Sequence, residues 1–163
     1  MHENRVGTII VAAAIETHRY LGPGLLETVY ETVLAYELTA RGLSVQRQVP
    51  IPIEYKGIRF DESFRADLIV DGLVVVELKA VEILNAAHRK QIQTYLRLTG
   101  KKLGYLLNFG AALMKDGIVR AVNGLEEDPH CATARDESGK GVKIGFYFAV
   151  CARDRIGTFP PNS

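Results

Sequence analysis

Residues 64–70 read FRADLIV and residues 73–80 read LVVVELKA, with Asp71 and Gly72 between them. Branched apolar residues dominate both segments, and an Asp-Gly pair between two such segments predicts a β-hairpin with a tight turn. Side chains alternate between the two faces of a strand, so Glu77 and Lys79 share one face. If the strands are in register, the hairpin brings Asp67 to the same place.

The same alternation assigns the side chains of the first strand to its two faces. Asp67 is expected on the face of Arg65 and Ile69. The opposite face is expected to carry four apolar side chains, those of Phe64, Ala66, Leu68 and Val70.

Asp67, Glu77 and Lys79 form a candidate catalytic site. The two acids could hold a hard divalent cation, which prefers oxygen ligands, and the lysine beside them could orient or activate a water molecule. The competing interpretation is a solvated sheet surface, because charged residues usually face water and a D…ExK match often arises by chance. Both interpretations stay open on these two strands alone.

The bulk composition indicates an ordinary globular protein. The chain has 163 residues, of which 47% are hydrophobic and 24% charged, and this length suits one domain with a sizeable core. The net charge is only +1. Any binding of nucleic acid therefore has to come from a local basic patch and not from the field of the whole molecule.

The sequence favours a cytoplasmic protein without a membrane partner. No apolar run approaches the roughly 20 residues that span a bilayer, and the N-terminus carries no secretory signal. Cys131 and Cys151 are the only cysteines, which is no disulfide framework and fits a reducing compartment.

Two helices are predicted before the hairpin, at about residues 5–20 and 25–41, separated by LGPG at residues 21–24. Glu27 lies within about 20° of Leu34 and Leu38 around the second helix, so we expect it at the edge of the buried face. A carboxylate there needs an arginine, a backbone donor or a metal as a partner. The alternative is an acid placed at the helix N-terminus because the macrodipole stabilises it.

The remaining elements are predicted by the same patterns. Residues 43–55 alternate as a strand in which Pro50 and Pro52 favour an edge position or a bulge. A third helix, about residues 84–99, places Gln91 and Tyr95 one turn apart, either as buried polar groups with local partners or as site residues. A strand at residues 103–109 and an extended segment at 118–122 follow. The flank of the third helix is basic and carries Arg89, Lys90, Arg97, Lys101 and Lys102. Such charges fit a solvated helix face as well as one that faces phosphates.

The last part of the chain differs in composition. Residues 126–140 are polar and turn-rich, and residues 142–150 read as one apolar strand. We assign no chemistry to this part and expect a core domain at residues 1–125, with residues 126–163 as a dispensable extension.

Several short motifs resemble one known family. Residues 24–30, GLLETVY, match the signature GxxExxY, and residues 5–125 resemble the GxxExxY protein family of the PD-(D/E)XK nuclease superfamily. The resemblance implies an α/β fold with a restriction-endonuclease-like core, a central mixed β-sheet flanked by helices in the order α-α-β-β-β-α-β. Other segments typical of the family are LGPG 21–24, RAD 65–67, ELKA 77–80, YLR 95–97 and LNFG 107–110.

The resemblance also implies roles for six residues. Asp67, Glu77 and Glu27 would be acidic metal ligands, with Glu27 supplied by the helix before the sheet, and Lys79 would be the catalytic lysine. The remaining two residues, Gln91 and Tyr95, resemble the QxxxY motif of the exonuclease branch and would position water and substrate. Ala66 departs from the proline that the superfamily's name implies at this position, which varies widely.

The function implied is that of a Mg²⁺-dependent nuclease, with Mn²⁺ as a substitute, that hydrolyses phosphodiester bonds of DNA; RNA stays open as a substrate. The alternative is a non-catalytic module that keeps the nuclease fold and binds nucleic acid or protein. Convergence of Asp67, Glu77 and Lys79 in one concave site, with Glu27 in reach, would favour the enzyme. The sequence predicts neither the oligomeric state nor the strandedness of the substrate.

Overall fold

The structure is a computed structural model that describes residues 2–125, apart from the side chains of Glu62 and Ser63. The expected extension at residues 126–163, including its apolar strand at 142–150, lies outside the described residues. The division of the chain at residue 125 therefore stays a prediction.

Nine elements follow one another in the described part of the chain. The predicted order α-α-β-β-β-α-β is present and is followed by a short helix, which the sequence did not predict, and by the expected strand at residues 118–122. The elements are α1 (Glu3–Leu21), α2 (Glu27–Ala40), β1 (Val45–Tyr55), β2 (Ile58–Val70), β3 (Val74–Lys79), α3 (Ala86–Thr99), β4 (Leu103–Asn108), α4 (Met114–Gly117) and β5 (Ile118–Val122).

The five strands form one mixed sheet in the order β1-β2-β3-β4-β5. All neighbours are antiparallel except β3 and β4, which are parallel and are joined through α3, as parallel neighbours need a crossover. The predicted mixed sheet flanked by helices is confirmed. None of the helices within residues 2–125 is long and apolar enough to cross a bilayer.

The core consists of two apolar clusters, one on each face of the sheet. The larger cluster lies under α1 and α2 and includes Tyr30, whose ring stacks on Phe109 at a centroid distance of 4.5 Å. The smaller cluster lies under α3 and includes Ile92, Tyr95 and Leu96. Each face of the sheet is therefore buried by helices, which is why β3 and β4 are buried along nearly their whole length and are mostly apolar.

The predicted hairpin forms between β2 and β3. Asp71 and Gly72 have φ angles of 50° and 66°, and this left-handed conformation reverses the chain within the three residues 71–73 that lie between the paired Val70 and Val74. The register pairs Leu68 with Val76. Continued by one residue, it sets Asp67 opposite Glu77.

The predicted edge position of β1 is also confirmed. Pro50 lies in this strand, where a missing backbone donor costs least. The register with β2 shifts between Ile51 and Ile53, close to Pro52, so the strand has an irregularity as well as an edge position.

The predicted alternation of β2 is wrong N-terminal to Asp67. Leu68 and Val70 pack in the cluster under α1 and α2, but Ala66 packs in the cluster under α3. The ring of Phe64 also lies on the α3 side, 5.8 Å from that of Tyr95.

The neighbouring strand shows the physical reason for this change of face. Val45 packs in the larger cluster, whereas Val49 and Ile51 pack in the smaller one. Between them, Gln48 has a φ of 50°, and the register places it opposite Asp67. A left-handed residue breaks the strict alternation of an extended strand, so the hairpin changes face at Gln48 and Asp67.

Candidate active site

The candidate site lies where β2 and β3 stop pairing. Their ladder ends at Leu68 and Val76. Beyond it, the backbone N–H of Leu78 donates to Oδ2 of Asp67 at 2.8 Å. A carboxylate thus replaces a ladder acceptor, and this hydrogen bond fixes Asp67 beside β3.

Glu77 lies at the centre of a cluster of buried polar side chains. Its Oε1 accepts hydrogen bonds from Nζ of Lys79 and from Nε2 of Gln91, both at 2.8 Å. The side chain of Glu77 is only 3% exposed, and its Oε2 has no hydrogen-bond partner among the described residues. Because a buried oxygen without a partner is costly, this atom marks where a ligand is needed.

Gln91 and Tyr95 lie one turn apart on α3, as their spacing predicts, and both reach the candidate site. Nε2 of Gln91 donates to Glu77 and also to the hydroxyl of Tyr95 at 2.7 Å. The Tyr95 oxygen accepts in this bond, which leaves its own proton to donate. Burial raises the pKa of the Tyr95 phenol, so the hydroxyl keeps this proton at neutral pH.

Glu27 is the first residue of α2 and lies at the rim of the site. Its Oε1 is 3.8 Å from Nζ of Lys79, and its side chain is 42% exposed. Lys79 therefore lies between Glu27 and Glu77, and its ammonium also donates to the backbone oxygen of Leu78 at 3.0 Å. The position in the first turn of a helix also stabilises an acid through the macrodipole, so both interpretations of Glu27 fit.

Two further residues belong to the site although the sequence did not indicate them. Glu31 is buried, and its Oε1 accepts from Nε of Arg47 at 2.9 Å. Nε2 of Gln48 lies 2.7 Å from the other Glu31 oxygen and 3.3 Å from Oδ1 of Asp67. The Gln48 amide thus links an acid of α2 to an acid of β2. Glu31 follows Glu27 by one helical turn, a signal that could have found it.

Asn108 closes the end of β3 behind Lys79. It pairs with Lys79 in the parallel ladder, and its side-chain amide bonds both backbone groups of Val81, at 3.0 Å to the nitrogen and 2.8 Å to the oxygen. The chain that leaves β3 is therefore held by a side chain of β4. This role explains the asparagine of the LNFG segment.

The charges in the site shift one another's pKa. Burial, together with the charge of Asp67, raises the pKa of Glu77 to about 7 in spite of the hydrogen bond from Lys79. Burial also raises the pKa of Asp67, although the hydrogen bond from the Leu78 N–H acts to lower it. Burial by itself lowers the pKa of Lys79, but the hydrogen bond and charge of Glu77 outweigh it and the net shift is upward. Lys79 stays charged, whereas Glu77 titrates near neutrality.

Two acids of the site, Asp67 and Glu77, could bind a divalent cation. Within residues 2–125, no three Asp, Glu, His or Cys side chains are grouped closely enough to hold a metal ion. Asp67 and Glu77 are nevertheless adjacent, and the unpartnered oxygen of Glu77 lacks a positive partner. Mg²⁺ is usually held by one or two protein carboxylates, so this donor set suits it.

The mixed sheet, the helices on both faces and the acids and lysine at the point where β2 and β3 part define a restriction-endonuclease-like, nuclease-type domain. A sequence profile of the PD-(D/E)XK nuclease superfamily matches residues 4–121, and the chain belongs to that superfamily. No curated protein and no solved structure matches the chain.

Proposed function

We propose that the protein is a metal-dependent nuclease that hydrolyses phosphodiester bonds of DNA, with Mg²⁺ as its cofactor and Mn²⁺ as a substitute. The observation that carries the proposal is the buried Glu77 carboxylate, which has one oxygen bound by Lys79 and Gln91 and the other without a partner among the described residues. Membership of the nuclease superfamily supports the reaction class.

Asp67 and Glu77 would hold the metal ion. Glu27, which the resemblance implies as a third acidic ligand, would act on the metal through a bound water, because Glu27, Asp67 and Glu77 are not grouped closely enough to hold one ion directly. When bound, such a metal lowers the pKa of a water ligand and offsets negative charge on the scissile phosphate.

Lys79 would act on the reacting atoms directly. Its ammonium is held by Glu77 and by the Leu78 backbone oxygen, so it is preorganised before substrate binds. A fixed cation of this kind stabilises negative charge that develops on the phosphate and can orient the attacking water. Gln91 would keep Glu77 in place, and the Tyr95 hydroxyl would donate its proton to the substrate backbone.

The narrower assignment to the GxxExxY family is also part of this proposal, and the geometry of the motif supports it. The hydroxyl of Tyr30 donates to the Gly22 oxygen at 2.6 Å and accepts from the Leu25 nitrogen at 3.1 Å. Gly24 has a φ of 105°, which favours glycine. Tyr30 therefore fixes the loop that leads into α2, and this loop sets the position of Glu27.

A nucleic-acid substrate is supported by the distribution of charge. Between Glu82 and Asp116 the chain has six Lys and Arg and no acidic residue. This segment includes α3, which carries Gln91 and Tyr95. Lys101 donates to the Gly72 oxygen at the far end of the hairpin, so the cations that support a nucleic-acid substrate are the three on α3, Arg89, Lys90 and Arg97. They lie on the helix that carries Gln91 and Tyr95 and suit a polyanion, although the net charge of the whole chain is close to zero.

The test is a cleavage assay of the full chain on single- and double-stranded DNA, and on RNA, with Mg²⁺, with Mn²⁺ or with EDTA. We expect cleavage with either metal and none with EDTA. Calorimetric titration with Mg²⁺ runs beside it. If the wild-type protein binds no Mg²⁺ and cuts no nucleic acid, the non-catalytic binding module replaces the nuclease.

A further inference from the structure

The outer part of the β1–β2 hairpin extends past the rest of the sheet. We call residues 49–66 the arm. β2 pairs with β3 only at residues 68–70, and β1 is an edge strand. In the part of the chain that the structure describes, the two strands of the arm therefore pair only with each other.

By strand alternation, one face of the arm is apolar from its inner end to its tip. The register shift between Ile51 and Ile53 adds two residues to β2, and an even number leaves the alternation of faces unchanged. Residues paired across an antiparallel ladder lie on the same face. The exposed fraction rises outward along this face, from 1% at Ile51 to 37% at Phe64, 46% at Phe60 and 61% at Tyr55. A face that begins in the core thus continues into solvent. Its cross-strand pairs are Ile51 with Phe64, Ile53 with Phe60 and Tyr55 with Ile58.

The inner end of this face touches the candidate active site. The Phe64 ring meets the Tyr95 ring edge-on at 5.8 Å, and Tyr95 is joined through Gln91 to Glu77. A molecule lying along the arm would therefore arrive beside Glu77 and Lys79.

Cations lie at the tip of the arm and on α3, the helix that the inner end of the arm contacts. The outer surface of α3 exposes Arg89, Lys90 and Arg97, and at the tip of the arm Nζ of Lys56 lies 5.3 Å from the centre of the Tyr55 ring. Within the arm, Arg59 is paired with Asp61. In sequence the arm has as many acidic residues as Lys and Arg, three of each, whereas α3 has three Lys and Arg and no acidic residue. The excess positive charge therefore comes from α3, against which the inner arm packs.

We propose that the arm stacks the bases of a single-stranded nucleic acid whose phosphates lie along α3, and so leads the strand to Glu77 and Lys79. The substrate class named here rests on the proposed nuclease function. Aromatic side chains beside a cationic track are the means by which proteins hold single strands, because each unpaired base offers a π-face. In a duplex these faces are already stacked on one another.

A second copy of the chain is the other candidate occupant of the apolar face. A symmetric dimer would place this patch against itself. The cations of α3 beside the arm would then approach those of the partner, which costs free energy. The charge distribution therefore favours a polyanion.

The test measures binding of the full chain to fluorescent oligonucleotides by anisotropy, in EDTA so that no cleavage occurs. The ligands are a single strand of DNA, the same sequence as a duplex, the same sequence in RNA, and a single strand whose central nucleotides are abasic. Phe60→Ala and Tyr55→Ala remove exposed arm side chains and should leave the fold intact. Tyr36→Ala, at an exposed tyrosine of α2 that lies outside the arm, is the matched control.

We expect the single strand to bind more tightly than the duplex. Each arm variant should weaken single-strand binding about tenfold, the typical cost of one lost stacking contact, and leave duplex binding unchanged. The abasic strand should bind weakly to wild type and to variants alike. If the DNA and RNA single strands differ in affinity, the proposed role of the arm still holds, and the tighter binder identifies the type of nucleic acid that the arm prefers.

The proposal is overturned if the arm variants bind the single strand as wild type does, or if the abasic strand binds equally well. Sedimentation that shows a wild-type dimer and monomeric arm variants, at unchanged single-strand affinity, assigns the face to a second copy. The two proposals fail separately. If single-strand binding depends on the arm but no cleavage occurs, only the proposed nuclease function is wrong. If cleavage occurs but binding does not depend on the arm, only the proposed role of the arm is wrong.

Discussion

Asp67 and Glu77 lie opposite each other in one hairpin, but their surroundings differ. Each oxygen of Asp67 has a donor, the Leu78 N–H on one and the Gln48 amide on the other. Glu77 has two donors on Oε1 and none from the described residues on Oε2. Asp67 is thus bonded as part of the sheet, whereas Glu77 retains bonding capacity for a ligand. Mutations at the two acids should separate these roles.

The largest effect is expected for Asp67→Asn, which should lose both Mg²⁺ affinity and cleavage. The asparagine oxygen can still accept from Leu78, so the fold should persist. Affinity should fall at least about tenfold because one of two charged ligands is neutralised. Calorimetric titration and cleavage rates measure this, with Asp71→Asn in the turn of the same hairpin as the control. Unchanged Mg²⁺ affinity would show that Asp67 is not a ligand.

Lys79→Ala should remove cleavage while leaving folding and Mg²⁺ binding nearly intact. Loss of one preorganised electrostatic contact typically lowers the rate about a hundred- to a thousandfold. Single-turnover cleavage beside Mg²⁺ titration makes the comparison, and Lys115→Ala, at an exposed lysine, is the control. A variant that cleaves at the wild-type rate would show that Lys79 has no part in the reaction.

Glu77→Gln should stabilise the metal-free protein in a pH-dependent way. The pKa of Glu77 rises from 4.5 to about 7 on folding. Between these pH values the unfolded chain releases a proton that the folded protein keeps, so stability contributed by Glu77 is complete below the lower value and lost as the pH rises to the upper one. The variant should therefore gain up to about 3 kcal/mol above pH 7, at roughly 1.4 kcal/mol for each pKa unit.

Urea unfolding in EDTA at pH 4.5 and at pH 8 measures the gain, which should disappear at the lower pH. Glu82→Gln, at an exposed glutamate, should change neither value. Equal effects of Glu77→Gln at both pH values would contradict the raised pKa.

The smallest effect is expected at Gln48, the residue that distinguishes the surroundings of Asp67. Gln48→Ala removes the amide that serves Glu31 and Asp67 and should destabilise the protein by about 1–2 kcal/mol. Gln48→Gly loses the same bonds but relieves the left-handed backbone at φ 50°. The glycine variant should therefore be about 1 kcal/mol more stable than the alanine variant.

Urea unfolding compares the two Gln48 variants. At Gln46, an exposed neighbour on the same strand with an ordinary ladder partner, the order should reverse, because glycine weakens an extended strand. Equal stabilities of the alanine and glycine variants at Gln48 would show that its backbone stores no strain.

The sequence predicted those features that local rules determine. The Asp-Gly turn and the alternation of β3 place Glu77 and Lys79 on one face, and the prolines place β1 at an edge. Such signals lie within a few residues of one another, so a single segment contains them. The spacing of Gln91 and Tyr95 on α3 is of the same kind.

The features that the sequence did not reveal depend on contacts between distant segments. Nothing in the pattern of β1 marks Gln48 as left-handed, since glutamine has no preference for that conformation. The change of face that carries Ala66 and Phe64 to the α3 side follows from this one residue. The bridge from Glu31 through Gln48 to Asp67 joins three elements and could be found only once they were packed together.

The hydrogen bonds between the Asn108 side chain and the Val81 backbone should affect the rate of hydrogen exchange at the Val81 amide. Val81 lies beyond the last residue of β3, where a backbone N–H would ordinarily exchange quickly with solvent. Its hydrogen bond to the buried Asn108 side chain should make it exchange as slowly as an amide within the sheet. Exchange at this single amide therefore reports whether the strand end that carries Lys79 opens, in the absence of any metal or nucleic acid.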